Sequence, residues 1–186
     1  MPSLEPFKLE RYFAEYEFRV KYLLSASDCE SLSVAELLAL ADDDGRRRWD
    51  TLRLGYTESQ GDPALRTEIA AQYTSIRPEG VLVAAPEEAI FIFMQALLRP
   101  GDHVICLQPA YQSLYAVARS IGCEVSPWPV ELAENLPGWR LDLERLAGLL
   151  RPNTRLLVLN FPHNPTGFVP EQAELWQFWS WPGGTM

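Results

Sequence analysis

The residues best suited to contacting a ligand follow two apolar stretches of the chain. The stretch LLVLNF, residues 156 to 161, runs into PHNPTG, which contains Asn164, and the stretch HVICLQ, residues 103 to 108, runs into Pro-Ala-Tyr, which ends at Tyr111. Asn164 carries an amide that can donate hydrogen bonds, and Tyr111 carries a ring that can lie over a flat group. Because open α/β sheets hold their ligands at the carboxyl ends of strands, we expect a ligand site where these two stretches end.

The elements that must position these side chains are predicted by alternating hydrophobic patterns from Gly80 onward. Strand patterns in GVLVAA, HVICLQ, CEVSPW and RLLVLNF alternate with helix patterns in PEEAIFIFMQALL, YQSLYAVARSIG and LDLERLAGLL, the last of which begins at Asp142. This alternation is typical of right-handed βαβ units and of a parallel sheet covered on both faces. We therefore expect an α/β fold, a three-layer sandwich with a mostly parallel sheet that contains four strands of this chain.

Residues 1 to 54 have a different pattern and are expected to form a separate, arm-like or small-domain segment. They contain two candidate helices, about Glu5 to Tyr16 and Ser33 to Leu40, on either side of the strand-like or extended stretch EFRVKYLL. Ser33 and Glu36 have the spacing of a capping box. The following run, DDDGRRRWD, is interpreted as a solvated turn of paired charges, and a phosphate-binding role for its arginines is the less favoured alternative.

A further helix is predicted just beyond this segment, and its start has a clear sequence signature. Asp62 has the side chain of a helix cap, and Pro63 suits the first helical position. The helix is expected to turn Leu65, Ile69 and the Gln72/Tyr73 side toward the core.

Composition excludes several classes of partner. The chain has 186 residues and a formal net charge of −9, which disfavours nucleic acid and anionic membrane surfaces as main partners. Its apolar runs are too short to span a bilayer, and its first residues contain no apolar signal core, so a cytoplasmic location is expected. Three scattered cysteines and two histidines favour reduced, mostly buried thiols over a zinc site.

The order of the motifs resembles one enzyme family. A buried strand that runs into Asn-Pro-Thr-Gly is similar to the corresponding loop of the class I/II aminotransferases, which have the fold type I architecture and use pyridoxal phosphate. PGDHVI, PAYQSLY and PHNPTG occur in the order and spacing of that family, and the resemblance extends from about Leu54 to Leu175. It implies a truncated large domain of a pyridoxal-phosphate-dependent transferase. In a complete member, an amino group would pass between a small-molecule amino acid and a 2-oxo acid.

The resemblance also implies roles for individual side chains. Asn164 would donate a hydrogen bond to the phenolate oxygen of the cofactor from a loop in which the Asn-Pro bond is cis, and the ring of Tyr111 would lie over the pyridine. Tyr56 would reach the cofactor phosphate of a neighbouring subunit; a half-buried loop tyrosine without a ligand is an equally good interpretation of that position.

The predicted phosphate-binding turn departs from the family pattern. Ala84 and Ala85 stand where Ser or Thr and Gly are usual, and Pro86 has no N–H to donate. A lost charge-assisted hydrogen bond weakens binding by about 1.5 to 3 kcal/mol. Glu87 and Glu88, which follow at once, would repel a phosphate. The resemblance implies that Ala85 and Pro86 contact the phosphate, and the departures from the family pattern imply that cofactor binding is weak or absent.

The position of the lysines bears on activity. Lys8 and Lys21 are the only lysines, and both lie in the arm-like segment, whereas the family's Schiff-base lysine lies well beyond the Asn-Pro-Thr-Gly loop. We therefore assign no catalytic residue and expect that this polypeptide does not transaminate.

Residues 55 to 175 are interpreted as the partial large domain and residues 176 to 186 as an aberrant tail. The tail, WQFWSWPGGTM, has neither a helical nor a strand period after PEQAEL begins a helix, and a shifted reading frame is one explanation. A sheet limited to the strands present here would leave an unpaired edge and an exposed apolar face, which predicts a dimer or higher homo-oligomer.

Two other functions compete with a truncated aminotransferase. The first is a noncatalytic binding or assembly module that self-associates or pairs with a separate, lysine-bearing half. The second is an unrelated nucleotide-binding α/β domain, which is disfavoured because no GxGxxG or GxxxxGK[ST] follows any predicted strand.

Overall fold

The computed structural model of the chain describes residues 5 to 27, 29 to 132 and 138 to 179, with side chains as far as residue 175. Eight helices and five strands occur in these ranges, together with one short 3-10 turn, Pro78–Gly80. The helices are α1 (Lys8–Tyr16), α2 (Val34–Ala39), α3 (Asp43–Asp50), α4 (Pro63–Ala70), α5 (Pro86–Leu97), α6 (Ser113–Ile121), α7 (Leu143–Leu149) and α8 (Gln172–Trp179). The strands are β1 (His103–Gln108), β2 (Glu124–Pro129), β3 (Glu131–Leu132), β4 (Trp139–Arg140) and β5 (Thr154–Val158).

The chain divides into two compact units. One unit combines Met1–Ser27 with Glu87–Met186, and the other is Asp28–Pro86. The first unit contains the strands, and the second contains α2, α3 and α4. The sequence-based boundaries at residues 54 and 175 stay predictions.

A parallel sheet of three strands organises the first unit. Its order is β2-β1-β5, and both neighbouring pairs are parallel. The residues of β1 from His103 to Leu107 are all buried, as expected for the central strand of a sheet with covered faces. A separate antiparallel pair joins β3 and β4. The predicted parallel α/β sheet is therefore confirmed, with three strands instead of four.

Helices cover both faces of this sheet, and the side chains of β1 alternate between them. Val104 and Cys106 pack with Met94 of α5 and with residues of α6. Ile105 and Leu107 pack on the other face with Trp128 of β2 and Leu146 of α7. This period of two gives each face its own core, and the predicted three-layer arrangement follows from it.

Three helix starts that the sequence predicts from capping residues are confirmed, whereas α1 begins at Lys8 and not near Glu5. Ser33 and Glu36 form the complete capping box at the start of α2. The Asp62 carboxylate accepts hydrogen bonds from the backbone N–H groups of residues 64 and 65, with Pro63 at the first helical position. Asp142 accepts from the backbone N–H of Arg145 at the start of α7. These short side-chain acceptors satisfy backbone donors that a helix leaves unpaired at its start.

Two predictions about local structure are wrong. The run DDDGRRRWD is helix α3 and not a turn, because Asp42 caps it, acidic residues occupy its first turn and Arg47 and Arg48 its last. The stretch GVLVAA is not a strand in the described structure: residues 81 to 85 are irregular, and Val83 donates a backbone hydrogen bond to Gln60. A pattern of β-branched residues forms a strand only where a neighbouring strand pairs with it.

Three further expectations need correction. EFRVKYLL begins as a turn and continues without strand pairing. Helix α4 buries Ala70, whereas Leu65 and Tyr73 are exposed. Helix α8 runs as far as Trp179, so the first tryptophans of the tail are helical, and residues 180 to 186 lie outside the described residues.

The described surface contains many large apolar side chains. In the first unit, Phe91, Ile92 and Phe93 of α5 are about half exposed. Two cysteines, Cys106 and Cys123, are buried, and Cys29 is exposed. Among the described residues, no helix has the length and apolarity that crossing a membrane requires.

Candidate functional site

The two loops singled out in the sequence follow neighbouring strands. β1 and β5 pair in parallel, with Val104 opposite Leu156 and Cys106 opposite Val158. Parallel strands bring their carboxyl ends to the same edge of the sheet, so the segment after Gln108 and the segment after Val158 emerge side by side. Tyr111 belongs to the first of these segments and Asn164 to the second.

Three prolines in these two segments have cis peptide bonds. They follow Gln108, Phe161 and Asn164, and the bonds are Gln108–Pro109, Phe161–Pro162 and Asn164–Pro165. The cis Asn-Pro bond that the family resemblance implied is therefore confirmed. The other two cis bonds were not predicted. Gly167 has a positive φ of 72°, a conformation that glycine adopts without the steric cost of a side chain.

A buried histidine ties the two segments together. His163 is 1% exposed, and its Nε2 lies 2.8 Å from the carbonyl oxygen of Pro109. A carbonyl only accepts, so Nε2 carries the hydrogen and donates. Nδ1 lies 2.7 Å from the Thr166 hydroxyl, which donates to it in the neutral ring. Burial holds the pKa of His163 below its ordinary value, which keeps the ring neutral and this pairing intact.

The loop that contains Asn164 is further fixed by its own backbone. Gly167 donates a 2.7 Å hydrogen bond to the His163 carbonyl, and His163 donates one of 2.8 Å to the Phe168 carbonyl. The Asn164 side chain is exposed, and its amide nitrogen lies 3.5 Å from the Ser27 hydroxyl, at the limit of a hydrogen bond. An exposed amide with one long hydrogen bond can donate a further one to a ligand.

Tyr111 is half-buried and has neighbours from the amino-terminal segment. Its ring centroid is 5.2 Å from that of Phe7, and its hydroxyl donates a hydrogen bond to the Glu10 carboxylate. That hydrogen bond, together with burial and the charges of Glu10 and Glu87, raises the pKa of Tyr111 to about 12. The hydroxyl is therefore neutral at physiological pH, and its surroundings are acidic.

The other three candidate residues belong to the second unit. Tyr56 is fully exposed and lines an open cleft of about 900 Å³ with Arg48, Asp62 and Leu65 among its other walls. Ala85 precedes α5, and Pro86 is its first residue. The contacts of Tyr56, Ala85 and Pro86 with a cofactor stay predictions.

The fold and the site agree with the class that the family resemblance implied. A parallel α/β sheet whose carboxyl edge presents an aromatic ring and an Asn-Pro-Thr-Gly loop is what that resemblance predicts for a pyridoxal-phosphate-dependent enzyme of fold type I. The family model for aminotransferase class I and II matches residues 21 to 180. This chain belongs to that family.

Individual relatives agree with this assignment. The chain is 38% identical over 164 residues to capreomycidine synthase of Streptomyces vinaceus, covering 86% of this chain and 41% of the relative. It is 39% identical over 118 residues to the arginine–pyruvate transaminase AruH of Pseudomonas aeruginosa, covering 60% and 29%. A solved PLP-dependent aminotransferase from Streptococcus suis superposes with a TM-score of 0.84 at 34% identity, covering 95% of this chain and 48% of the other. The chain thus spans less than half the length of these relatives.

The described residues fit one part of pyridoxal phosphate better than another. On the ring side, the flat face of Tyr111 and the outward amide of Asn164 suit a planar ring with an anionic oxygen. The acidic residues Glu87 and Glu88, which follow the turn predicted to bind the phosphate, occupy the first turn of α5. Two carboxylates in that turn oppose a dianion, so the fit is to the ring.

Sequence reasoning missed three residues that shape the site. His163 stands in the predicted loop directly before Asn164, but its sequence position does not indicate that it joins the two loops. No sequence signal points to Glu10 or Gln112, and both connect α1 to the Tyr111 loop over about 100 residues of chain. No local pattern predicts contacts of that range.

Proposed function

We propose that this chain supplies the cofactor-ring face of a pyridoxal-phosphate-dependent aminotransferase. The observation that carries the proposal is the pairing of the Tyr111 and Asn164 segments through His163 at the carboxyl edge of a parallel sheet. In the complete enzyme the reaction is the passage of an amino group between an amino acid and a 2-oxo acid. Pyridoxal phosphate supplies the electron sink for that reaction when it is bound.

Each ring-side residue has a separate task in this proposal. The Tyr111 ring covers one face of the cofactor ring and excludes water from it. The Asn164 amide donates a hydrogen bond to the ring oxygen and so sets the rotation of the ring in its plane. His163 touches no ligand and holds the other two residues in register.

The positions of the lysines explain why the 186-residue chain is proposed to be inactive alone. The covalent chemistry needs a lysine amine near the cofactor to take up and return the substrate's α-proton. The two lysines of this chain are Lys8, in the first turn of α1, and Lys21, in the exposed segment that follows it. Neither belongs to a strand or to the segments that follow β1 and β5, and the family resemblance places the Schiff-base lysine beyond the Asn-Pro-Thr-Gly loop. Amino transfer therefore requires a lysine from another polypeptide segment.

The substrate is proposed only as an α-amino acid. The relatives range from an arginine–pyruvate transaminase to methionine and aspartate aminotransferases, and the amino acids in these names share the backbone and differ in the side chain. Cytoplasmic location and a homodimeric state stay predictions that belong with this proposal.

Cofactor titration tests the proposal directly. Pyridoxal phosphate should bind the wild-type chain weakly and reversibly, as followed by its absorbance and by quenching of tryptophan fluorescence. Tyr111→Ala should weaken binding about fivefold to tenfold, because aromatic stacking contributes about 1 kcal/mol. Tyr73→Ala, which removes an exposed tyrosine from the other unit, is the matched control and should bind normally. Equal affinity in Tyr111→Ala and wild type would refute ring-face binding.

An assembly module is the second candidate, and the exposed apolar side chains favour it. Phe91, Ile92 and Phe93 lie about half exposed on one helix, and an apolar surface of this kind is typical of interfaces between chains. Sedimentation velocity at several concentrations should show a dimer or larger species that Phe93→Glu converts to monomer. A monomer at all concentrations would exclude self-association.

A further inference from the structure

Gln112 makes an unusual connection between distant parts of the first unit. Its side chain is 7% exposed, and both ends of its amide are used. Oε1 accepts a 3.0 Å hydrogen bond from the backbone N–H of Lys8, and Nε2 donates one of 3.0 Å to the carbonyl of Pro6. One side chain thus holds two backbone groups of the amino-terminal segment, more than 100 residues away in sequence.

The Gln112 side chain caps the amino-terminal end of α1. The residue before α1 is Phe7, which has no side-chain hydrogen bond to the helix, so the first N–H groups of α1 lack a local acceptor. Gln112 supplies an acceptor to the first of them. Gln112 itself precedes α6 but makes no capping hydrogen bond there. Its amide is therefore committed to α1 and not to its own helix.

The segment held by Gln112 contacts the Tyr111 side chain from two directions. Phe7 lies against the Tyr111 ring, with the ring centroids 5.2 Å apart. Glu10, about one turn later in α1, accepts a hydrogen bond from the Tyr111 hydroxyl. Both contacts depend on α1 remaining at this position. Because Gln112 is adjacent to Tyr111 in the chain, the anchor and the side chain it serves share one loop.

We propose that Gln112 is a positioning residue that anchors residues 6 to 10 on the Tyr111 loop, so that Phe7 and Glu10 fix the Tyr111 ring in one orientation. The anchor acts through the amino-terminal segment and touches no ligand. Its consequence for cofactor affinity rests on the proposed function, whereas its consequence for the amino-terminal segment does not.

The physical effect is pre-organisation. A tyrosine on an unsupported loop samples several side-chain rotamers, and ordering such a side chain on binding has a free-energy cost that weakens the affinity. Contacts with Phe7 and Glu10 meet that cost during folding. Loss of the anchor should therefore weaken ring stacking without removing the ring itself.

Two variants and one control test the anchor. Gln112→Ala removes both hydrogen bonds, and Gln112→Glu preserves the side-chain size and the acceptor for Lys8 but loses the donor to Pro6. Gln72→Ala removes an exposed glutamine from the other unit and serves as the matched control. Circular dichroism establishes that each variant is folded.

The first measurements need no cofactor. Limited trypsin digestion should cut after Lys8 and Arg11 at least fivefold faster in both Gln112 variants than in wild type. Absorbance titration of the tyrosines, with Tyr111→Phe to identify the Tyr111 signal, should show the pKa of Tyr111 falling from about 12 toward the ordinary 10 when α1 is released. Gln72→Ala should change neither result.

The cofactor measurement separates two failures. If wild type binds pyridoxal phosphate, Gln112→Ala should bind it threefold to tenfold more weakly with Tyr111 still present. If wild type does not bind it, the proposed function fails while faster cleavage and a lowered Tyr111 pKa would still support the anchor. Wild-type cleavage rates and an unchanged Tyr111 pKa in folded Gln112→Ala would overturn the anchor, whatever the cofactor does.

Discussion

The two ends of the three-stranded sheet each contain one of the chain's two histidines, and the two side chains serve different purposes. His103 opens β1 at the amino end, and His163 follows β5 beyond the carboxyl end. Both are almost fully buried, and both have a threonine hydroxyl 2.7 Å from Nδ1. The partner of Nε2 differs between them, and so does the consequence.

At the amino end, the partners of His103 belong to the strands themselves. Nδ1 pairs with Thr154 of β5, and Nε2 lies 2.9 Å from the hydroxyl of Ser126 in β2. The ring therefore joins the central strand to both of its neighbours. Arg151 adds a 2.8 Å backbone hydrogen bond to the Thr154 hydroxyl oxygen. This network stabilises the sheet and is remote from the candidate ligand site.

At the carboxyl end, the partners of His163 belong to the loops. Nε2 donates to Pro109 in the Tyr111 segment, and Nδ1 accepts from Thr166 in the Asn164 segment. The comparison teaches that a similar buried imidazole can join strands at one edge of the sheet and join the loops of the candidate site at the other. The two roles differ because the partner of Nε2 is a strand residue for His103 and a loop residue for His163.

The largest expected effect comes from His163→Ala. The change leaves the Pro109 carbonyl without its donor and opens a cavity, which together should lower the free energy of unfolding by roughly 2 to 4 kcal/mol. It also separates the loops of Tyr111 and Asn164, so pyridoxal phosphate affinity should fall about tenfold or more. Urea unfolding and cofactor titration measure the two effects.

His103→Ala is the matched counterpart at the other end. Its loss of stability should be similar, because three strands lose a shared buried partner, but folded protein should retain its cofactor affinity. If both variants weakened cofactor binding equally after correction for unfolded protein, the division between the two ends would be wrong.

Acid should act on both ends at once. Burial lowers the pKa of His163, and burial together with the charge of Arg151 lowers the pKa of His103, both below the ordinary 6.5. The unfolded chain therefore binds protons more readily than the folded one, and stability is full above pH 6.5 and falls below it. Urea midpoints measured from pH 7.5 to 5 should decline over this range.

Glutamine substitutions sharpen the acid prediction. His103→Gln and His163→Gln retain a donor and an acceptor but do not titrate in this range. Each should therefore make the decline of the urea midpoint between pH 7.5 and 5 shallower. A decline of unchanged slope in the double variant would assign the acid effect to other groups.

The framework of this molecule could be predicted from sequence because its signals are local. The alternation of apolar runs identified β1, β2 and β5 and the helices between them, and side-chain caps such as Asp142 fixed helix starts. The strand prediction for GVLVAA is wrong because this stretch has no pairing partner in the described structure. Strand formation depends on a neighbour that the pattern itself does not contain.

The candidate site was predictable only in part. Asn164 and Tyr111 were recognisable because they follow strands in familiar motifs. Their supports were not: Pro109 and His163 are separated by 54 residues, and Tyr111 and Glu10 by 101. Side-chain contacts across such separations are created by the sheet, so they can be identified only after the strands are placed.

The smallest expected effect concerns Arg151, at the edge of the His103 network. Arg151 pairs with Glu124 at 2.7 Å, but both side chains are substantially exposed, so Arg151→Ala should leave the urea midpoint at pH 8 almost unchanged. The same change removes a positive charge that lowers the pKa of His103, which brings that pKa closer to its value in the unfolded chain. The acid decline should therefore become slightly shallower. Arg140→Ala, which removes an ion pair with the partly buried Glu131 and leaves that carboxylate paired with Arg145, should leave the decline unaltered. If the two arginine variants behaved identically, the charge of Arg151 would have no part in the amino-end network, and burial alone would account for the neutral His103.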